Sequence, residues 1–443
     1  MYIFPLNIIV IMLQNKLQLL SISVIIVMLV GLIGLPPLIK STFAAAVAAQ
    51  AKRPNILLIV GDDFGYSDIG PFGSEIKTPN FDALAKDGKI LTDYHTGPMC
   101  STARSMLLTG VDNHIGGLGT MFELIAQNQI GKPGYETWIN NRVIDVAEIL
   151  KSAGYNTFMA GKWHLSGPSP FRNGTYPADR GFEKSLTLLG GIANHFGGVP
   201  EAPFDPVQYA GNHTKVPRPL PNSTYSNDLY ANKIIDYIKS STNGKPFFGY
   251  LAFQVAHYPF QTPQATVAKY EKIYQSLGWD GAKKQIFENQ KKLGFWPTDM
   301  KLPQRLPPNV PWTSLTLEQQ AFVSRILAIR AAMIENMDQA VGRVVQTLKD
   351  TGQYDNTLII FVSDNGSSDA ATVVGDFSSP ADKAFMAGVN NNFTNIGNVT
   401  SYIDYSTYGN YVGATPLSGF KATQWEAGTR VPFIIKEPMA AGV

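Results

Sequence analysis

The chain has 443 residues, a formal net charge of +2 from 36 basic and 34 acidic side chains, 44% hydrophobic residues and one cysteine. Mixed, nearly balanced charge gives no reason to expect a nucleic-acid partner. A lone cysteine excludes an internal disulfide, so stability has to come from an apolar core or a bound metal.

The first 51 residues read as a targeting segment and not as fold. Lys16 precedes an apolar stretch at 19–35, and the small-residue run Thr42-Phe43-Ala44-Ala45-Ala46-Val47-Ala48-Ala49-Gln50-Ala51 follows it. That is the basic, apolar and cleavable layout of a secretory signal. The apolar stretch is near bilayer-spanning length, so an uncleaved membrane anchor is the alternative. Either way the body, residues 52–443, is expected to be exported, periplasmic or secreted, and to touch a membrane only through an uncleaved leader. Its length suits one large α/β domain or two smaller ones. Sequons such as Asn173-Gly174-Thr175 and Asn222-Ser223-Thr224 matter only in a glycosylating host.

Residues 55–60, Asn-Ile-Leu-Leu-Ile-Val, form a continuous apolar run ending in Gly61-Asp62-Asp63, which predicts a buried parallel strand. Thr78-Pro79 opens a short helix to Ala85, closed by Gly88. The lone Cys100 starts the run Cys100-Ser101-Thr102-Ala103-Arg104-Ser105-Met106-Leu107-Leu108-Thr109-Gly110, at a predicted helix start. An anion or an activated nucleophile is stabilised there, although a single Cys is more commonly a buried, inert thiol. Both readings stay open on these residues alone. A helix is predicted at 143–152, a strand at 155–160 running into Gly161-Lys162-Trp163-His164, a helix at 228–240 and a strand at 247–255 ending near His257. A long helix follows from Thr316, with a Thr316/Gln319 capping box, to about Lys349. Strands at 357–363, ending in Asp364-Asn365-Gly366, and at 431–435 complete the series. Alternation of this kind predicts an α/β fold with a large, mostly parallel central sheet sandwiched by helices.

The polar residues fall in a pattern. Asp62 and Asp63, Lys162 and His164, His257, and Asp364 and Asn365 each follow the carboxyl end of a predicted strand, the edge where open α/β sheets bind ligands. Asp62, Asp63, Asp364 and Asn365 are four hard oxygen donors, suited to Ca²⁺ or Mg²⁺. Singly, His257 reads as a core histidine and Lys162 with His164 as an exposed loop; their joint placement favours a site. His114 and His195, in Gly-rich loops, are read as lining the pocket mouth without a chemical role. Trp163 and Trp425 are read as packing residues, and the pocket walls are placed at 190–225 and 370–415.

Taken in order, the motifs resemble the sulfatase family, specifically bacterial type I arylsulfatases of the alkaline phosphatase superfamily. The resemblance is carried by Ile59-Val60-Gly61-Asp62-Asp63-Phe64-Gly65-Tyr66-Ser67-Asp68, by Thr78-Pro79-Asn80-Phe81-Asp82-Ala83-Leu84-Ala85, and by the Cys100 run, with Thr102 where the family has Pro or Ala. Gly161-Lys162-Trp163-His164-Leu165, Val362-Ser363-Asp364-Asn365-Gly366, and Lys421 with Trp425-Glu426-Ala427-Gly428-Thr429-Arg430-Val431-Pro432 extend it, Ala427 standing where Gly is usual.

The resemblance implies hydrolysis of a small sulfate ester through a formylglycine hydrate made from Cys100 by a formylglycine-generating maturation enzyme. It also implies one divalent cation, Ca²⁺ with Mg²⁺ as the alternative, on Asp62, Asp63, Asp364, Asn365 and the oxygen of converted Cys100. Arg104 is then expected to orient the hydrate, and Lys162, His257 and Lys421 to grip the sulfate. Asp364 is expected to be the base for attack, His257 or Lys421 to protonate the leaving alcohol, and His164 to take the second hydroxyl proton. The maturation enzyme reads the residue two after the cysteine, so conversion turns on Thr102. Two other functions remain open: a non-catalytic sulfatase-like binding protein, and a phosphonate or phosphate ester hydrolase on the same scaffold. Family members continue past the Arg430-Val431-Pro432 strand with a small C-terminal antiparallel sheet. The expectation is therefore a C-terminally truncated catalytic domain with an exposed apolar patch on its last strands and poor solubility.

Overall fold

The structure, a computed structural model, describes residues 53–167, 175–197, 209–216, 220–304, 310–368, 387–404 and 409–439. The predicted leader lies outside these residues, as do 198–208, 217–219, 370–386 and 405–408 of the expected pocket walls.

Apolar runs make the centre of one sheet. Strand β1 is Asn55–Gly61, β3 Asn156–Lys162, β4 Lys184–Leu188, β7 Phe247–Ala252 and β8 Thr357–Ser363. Short strands complete it: β2 Lys89–Ile90, β5 Tyr209–Gly211, β6 Thr214–Val216 and β9 Phe433–Lys436. The order is β2-β9-β8-β1-β7-β3-β4-β5-β6. The five central strands run parallel, whereas β9, β2, β5 and β6 join antiparallel. The mostly parallel sheet is thus observed in its middle, and the final strand, predicted at 431–435, forms at Phe433–Lys436 in the opposite sense.

Strand side chains alternate between two apolar layers, as a period of two demands. Leu57, Ile59, Phe158, Phe247, Leu251 and Phe361 face one layer; Ile56, Leu58, Val60, Met159, Tyr250 and Ile360 face the other. Helices α1 (Pro79–Lys86), α4 (Ser226–Ser240), α5 (Val267–Lys292) and α6 (Leu317–Asp350) cover the first layer. Helices α2 (Cys100–Thr109) and α3 (Val146–Ser152) contribute Leu108, Val146, Ala147 and Leu150 to the second. The α6 capping box forms as predicted, Thr316 accepting from the Gln319 amide and Gln319 from the Thr316 amide. Helix α3 starts three residues later than predicted because Asp145 caps it, accepting from the Ala147 amide at 2.8 Å.

Two further expectations are corrected. Helix α5 was not foreseen: Gly278 breaks it at φ 59°, so its apolar residues change phase halfway and no continuous 3.6-residue period survives. A Cβ on Gly278 would also lie 2.4 Å from the Trp312 ring. The exposed apolar patch on the last strands is absent from the described residues. Phe433 and Ile434 are buried, the Tyr94 and Phe433 rings meet at 4.5 Å, α1 packs against β9, and β2 pairs with its outer edge.

Candidate active site

The carboxyl ends of the parallel strands finish flush. Gly61 of β1 pairs with Ser363 of β8, Val60 with Ala252 of β7, and Ala252 with Gly161 of β3. The next residues of each strand, 62–63, 364–365, 162–164 and 253–257, therefore emerge side by side at one edge. Gly161 makes the spacing possible: at φ 113° an added Cβ would lie 1.8 Å from the Ala252 carbonyl oxygen. Asp63 (φ 64°) and His164 (φ 59°) hold the left-handed backbone that is costly for non-glycine residues and concentrates at functional sites.

Three carboxylates and three cations interlock in the resulting crevice. Lys162 donates to Asp62 Oδ2 at 2.6 Å, and Lys421 reaches Asp63 Oδ1 at 2.8 Å and Oδ2 at 3.0 Å. Arg104 spans the group: Nε donates to Asp364 Oδ2 at 2.8 Å, Nη1 to the Lys162 carbonyl at 2.9 Å, and Nη2 lies 3.9 Å from Asp62. Asp364 Oδ1 accepts the Asn365 backbone amide at 2.9 Å. All six charged residues are buried. Burial, then the neighbouring Asp364, pushes the Asp62 carboxyl up to about 7. Asp63 goes the other way: burial opposes its charge, but Lys421, His257 and Lys162 outweigh burial and hold it well below the usual carboxylate range. Lys421 is correspondingly raised, Asp63 overcoming its burial.

Cys100 is the first residue of α2, after the extended Met99, and its Sγ lies 3.6 Å from Asp62 Oδ1 and 3.9 Å from Asp63 Oδ1. Burial drives the thiol far up, so an unmodified Cys100 in this setting is protonated and a poor nucleophile. Thr102 fits without disturbance, its hydroxyl donating to the Met99 carbonyl at 2.9 Å.

The histidines separate into roles. His257 Nε2 is 3.7 Å from Asp63 Oδ2, and its Nδ1 is 2.9 Å from the Tyr258 carbonyl. His164 Nε2 meets Glu123 Oε1 at 3.1 Å, while its buried Nδ1 has no hydrogen-bond partner. Glu123 was missed in the sequence because it lies in a single 3-10 turn, Phe122–Leu124, too short to show periodicity or a motif. His195 does not line a pocket mouth: it is buried, with Nδ1 on the Ser226 hydroxyl at 2.8 Å and Nε2 on the His257 carbonyl at 3.2 Å. His114 is exposed and bonded to Asp112. Trp163 packs as expected, fully buried with its indole N–H on the Thr175 carbonyl, whereas Trp425 is 56% exposed.

The donor set suits a hard divalent cation. Asn365 donates its side-chain amide to Asp63 Oδ1 at 2.6 Å, leaving the buried Asn365 Oδ1 with no hydrogen-bond partner. An amide oxygen stranded beside crowded carboxylates, one of them held protonatable by burial and by Asp364, is what a cation ligated by Asp62, Asp63, Asp364 and Asn365 would relieve. Charge arranged in this way fits one class of chemistry, metal-assisted cleavage of an ester whose oxygens carry negative charge.

Comparison with known proteins narrows the class. Residues 54–441 match the family model described as Sulfatase. An arylsulfatase of Klebsiella aerogenes is 37% identical, the match covering 90% of this chain and 86% of that protein. An uncharacterised sulfatase of Schizosaccharomyces pombe is 41% identical, over 88% of this chain and 71% of the relative. Among solved structures, Ps i-CgsB in complex with k-i-k-neocarrahexaose superposes with a TM-score of 0.56 at 24% identity, and PsFucS1 sulfatase from Pseudoalteromonas sp. with 0.53 at 22%, both showing the shared fold. The match takes in 87% and 90% of this chain but 66% and 65% of those two, just under two thirds of their length. The chain belongs to the sulfatase family, hydrolases that act on sulfate esters.

Proposed function

We propose that this protein is an arylsulfatase whose nucleophile is residue 100 after conversion of cysteine to formylglycine, assisted by a divalent cation, Ca²⁺ before Mg²⁺. The observation that carries the reading is the setting of Cys100: a side chain at a helix start, within 4 Å of two carboxylates that are themselves gripped by Lys162 and Lys421.

In the converted state residue 100 supplies a hydroxyl nucleophile and a second hydroxyl that permits release of sulfate, and a cation on Asp62, Asp63, Asp364 and Asn365 supplies positive charge beside it. The chain's own groups do the rest. Arg104 is locked by Asp364 and the Lys162 carbonyl, so it holds the residue 100 side chain in one orientation. Lys162 and Lys421 lean on Asp62 and Asp63 and are placed to turn to the equatorial oxygens of a sulfate ester as its negative charge builds. Lys421, raised by Asp63 and therefore protonated, donates a proton to the departing alcohol oxygen; His257 faces the same crevice and is the other candidate, but would first have to take up a proton at Nε2. His164, kept neutral by burial and oriented by Glu123, takes a proton as base. Asp364 is the base for the attacking hydroxyl, the alcohol and then sulfate leave, and one water per turnover replaces the hydroxyl lost with sulfate.

The test joins two measurements on protein from its native host. Mass spectrometry of the tryptic peptide spanning residues 90–104, after reduction and alkylation, should show residue 100 as formylglycine. The same preparation should turn over nitrophenyl sulfate faster than nitrophenyl phosphate or phenylphosphonate. A fully alkylated thiol at residue 100, or a preference for the phosphorus esters, overturns the proposal.

A further inference from the structure

We propose that, while residue 100 is still cysteine, this crevice is a binding site for a zinc-class divalent ion, held by Cys100 Sγ, His257 Nε2 and one oxygen each from Asp62 and Asp63. This ligand set differs from the all-oxygen set above, because it replaces Asp364 and Asn365 with sulfur and imidazole nitrogen. It concerns the unconverted chain and stands whether or not the converted chain cleaves sulfate esters.

Geometry carries the inference. One donor atom from each of the four buried residues lies within 4.8 Å of the others. The measured approaches are Sγ to Asp62 at 3.6 Å, Sγ to Asp63 at 3.9 Å and His257 Nε2 to Asp63 at 3.7 Å. A tetrahedron built on Zn–S and Zn–N/O bonds of ordinary length has edges of about 3.3–3.6 Å. The three measured edges need to close by a few tenths of an ångström and the widest, up to 4.8 Å, by roughly an ångström, and the Asp63 carboxylate has to rotate, because sulfur approaches its Oδ1 and His257 its Oδ2.

The tautomer of His257 suits a ligand. A carbonyl oxygen only accepts, so Nδ1, 2.9 Å from the Tyr258 carbonyl, carries the hydrogen and leaves the Nε2 lone pair turned towards the crevice. The gap of 3.7 Å to the Asp63 carboxylate, too long for a hydrogen bond, agrees with an Nε2 that has no proton to give. His195 holds the His257 carbonyl and so braces the ligand from behind. The buried Asn365 Oδ1 without a partner marks the same crevice as suited to a cation, but lies outside the four ligands named here.

Charge sets the cost of binding: a divalent ion less the thiol proton leaves the crevice one charge more positive than before. The crevice balances Asp62, Asp63 and Asp364 against Arg104, Lys162 and Lys421. When the ion binds, the Cys100 S–H bond breaks, the sulfur electron pair forms the bond to the metal, and the proton leaves to solvent. Lys162 keeps its place on Asp62 Oδ2, since Sγ approaches Oδ1; Lys421, on both oxygens of Asp63, is the group displaced. Thiolate sulfur is a poor partner for Ca²⁺ and a good one for Zn²⁺. A single side-chain atom, sulfur or oxygen at residue 100, thus selects which class of metal the crevice takes.

The experiment uses the whole chain produced without a maturation enzyme, with residue 100 shown by alkylation to be a thiol and metals stripped by chelator. Titration with Co²⁺, a coloured substitute for Zn²⁺, should give one ion per chain and a thiolate-to-cobalt charge-transfer band in the near ultraviolet. Intense tetrahedral visible bands and release of one proton should accompany it. Zn²⁺ should erase the bands and a large excess of Ca²⁺ should not. Cys100→Ser should lose the charge-transfer band and the proton release, and His257→Gln should weaken binding by at least the ~10–100-fold typical of disturbing a metal ligand's surroundings. Near-ultraviolet circular dichroism checks that the variants keep the fold. Equal Co²⁺ affinity and spectra in the parent and Cys100→Ser, or no proton release by the parent, overturns the proposal.

Discussion

Glu123 turns a buried imidazole into an oriented one. Its carboxylate faces His164 Nε2, Phe122 lies edge-on to the ring, and a Cβ on Gly191 would sit 2.7 Å from it, so the ring has one place to go. Burial lowers His164, and Glu123 is the largest influence that raises it. Removing that charge in Glu123→Gln lowers His164 further, so the acid limb of the pH–rate profile should move to lower pH while kcat falls by roughly 10–100-fold. An unmoved limb would reduce Glu123 to a packing role. At this scale the sequence was informative where chemistry is hard-wired to a strand end: Asp62, Asp63, Lys162, His164, Asp364 and Asn365 could be placed in one crevice before any coordinates. Glu123 could not, since an acidic residue in a three-residue 3-10 turn has no signature. The solvent-facing Trp425 was equally illegible, because nothing in a local run distinguishes an aromatic turned inwards from one turned out.

Strand β3 shows how an element fixes chemistry. Gly161 lets its backbone approach Ala252 of β7, and the next residue is Lys162, whose ammonium holds Asp62 at 2.6 Å. Gly161→Ala must push the strands apart and adopt a left-handed conformation. It should cost about 2–4 kcal/mol in urea unfolding and lower turnover beyond what the stability loss explains. Unchanged stability would mean that the strands can separate without strain. The major strands and the long helix α6 were legible because apolar runs and the Thr316 cap are local signals. Helix α5 was hidden by its own break at Gly278. Strands β5 and β6 are three residues each and half-exposed in part, too short for a period of two to register. The antiparallel sense of β9 depends on β8 and β2, partners from tens to hundreds of residues away, which no local pattern encodes.

For the whole molecule, buried imidazoles set the response to acid. Burial lowers His195 from 6.5 to about 4, and lowers His164 and His257 in the same direction. Below pH 6.5 the unfolded chain binds protons that these folded histidines refuse, so stability is lost as pH falls from 6.5 towards 4. His195 alone contributes a loss of at most about 3 kcal/mol over that interval. In metal-free buffer the urea midpoint should fall across this window, and His195→Gln should flatten the slope by about one proton; an unchanged slope would assign the loss elsewhere.

The placement of Cys100 sets a schedule as well as a site. The residue is 1% exposed and lies against Asp62 and Asp63, and Asp63 is held in turn by Lys421, 321 positions after Cys100 in the chain. Ribosomal synthesis at about 5–20 residues per second puts tens of seconds between the appearance of the thiol and the arrival of its last wall. An enzyme that grasps the Cys100–Arg104 peptide in extended form has that interval, and any later time before the chain folds, in which to work. Folding closes the access.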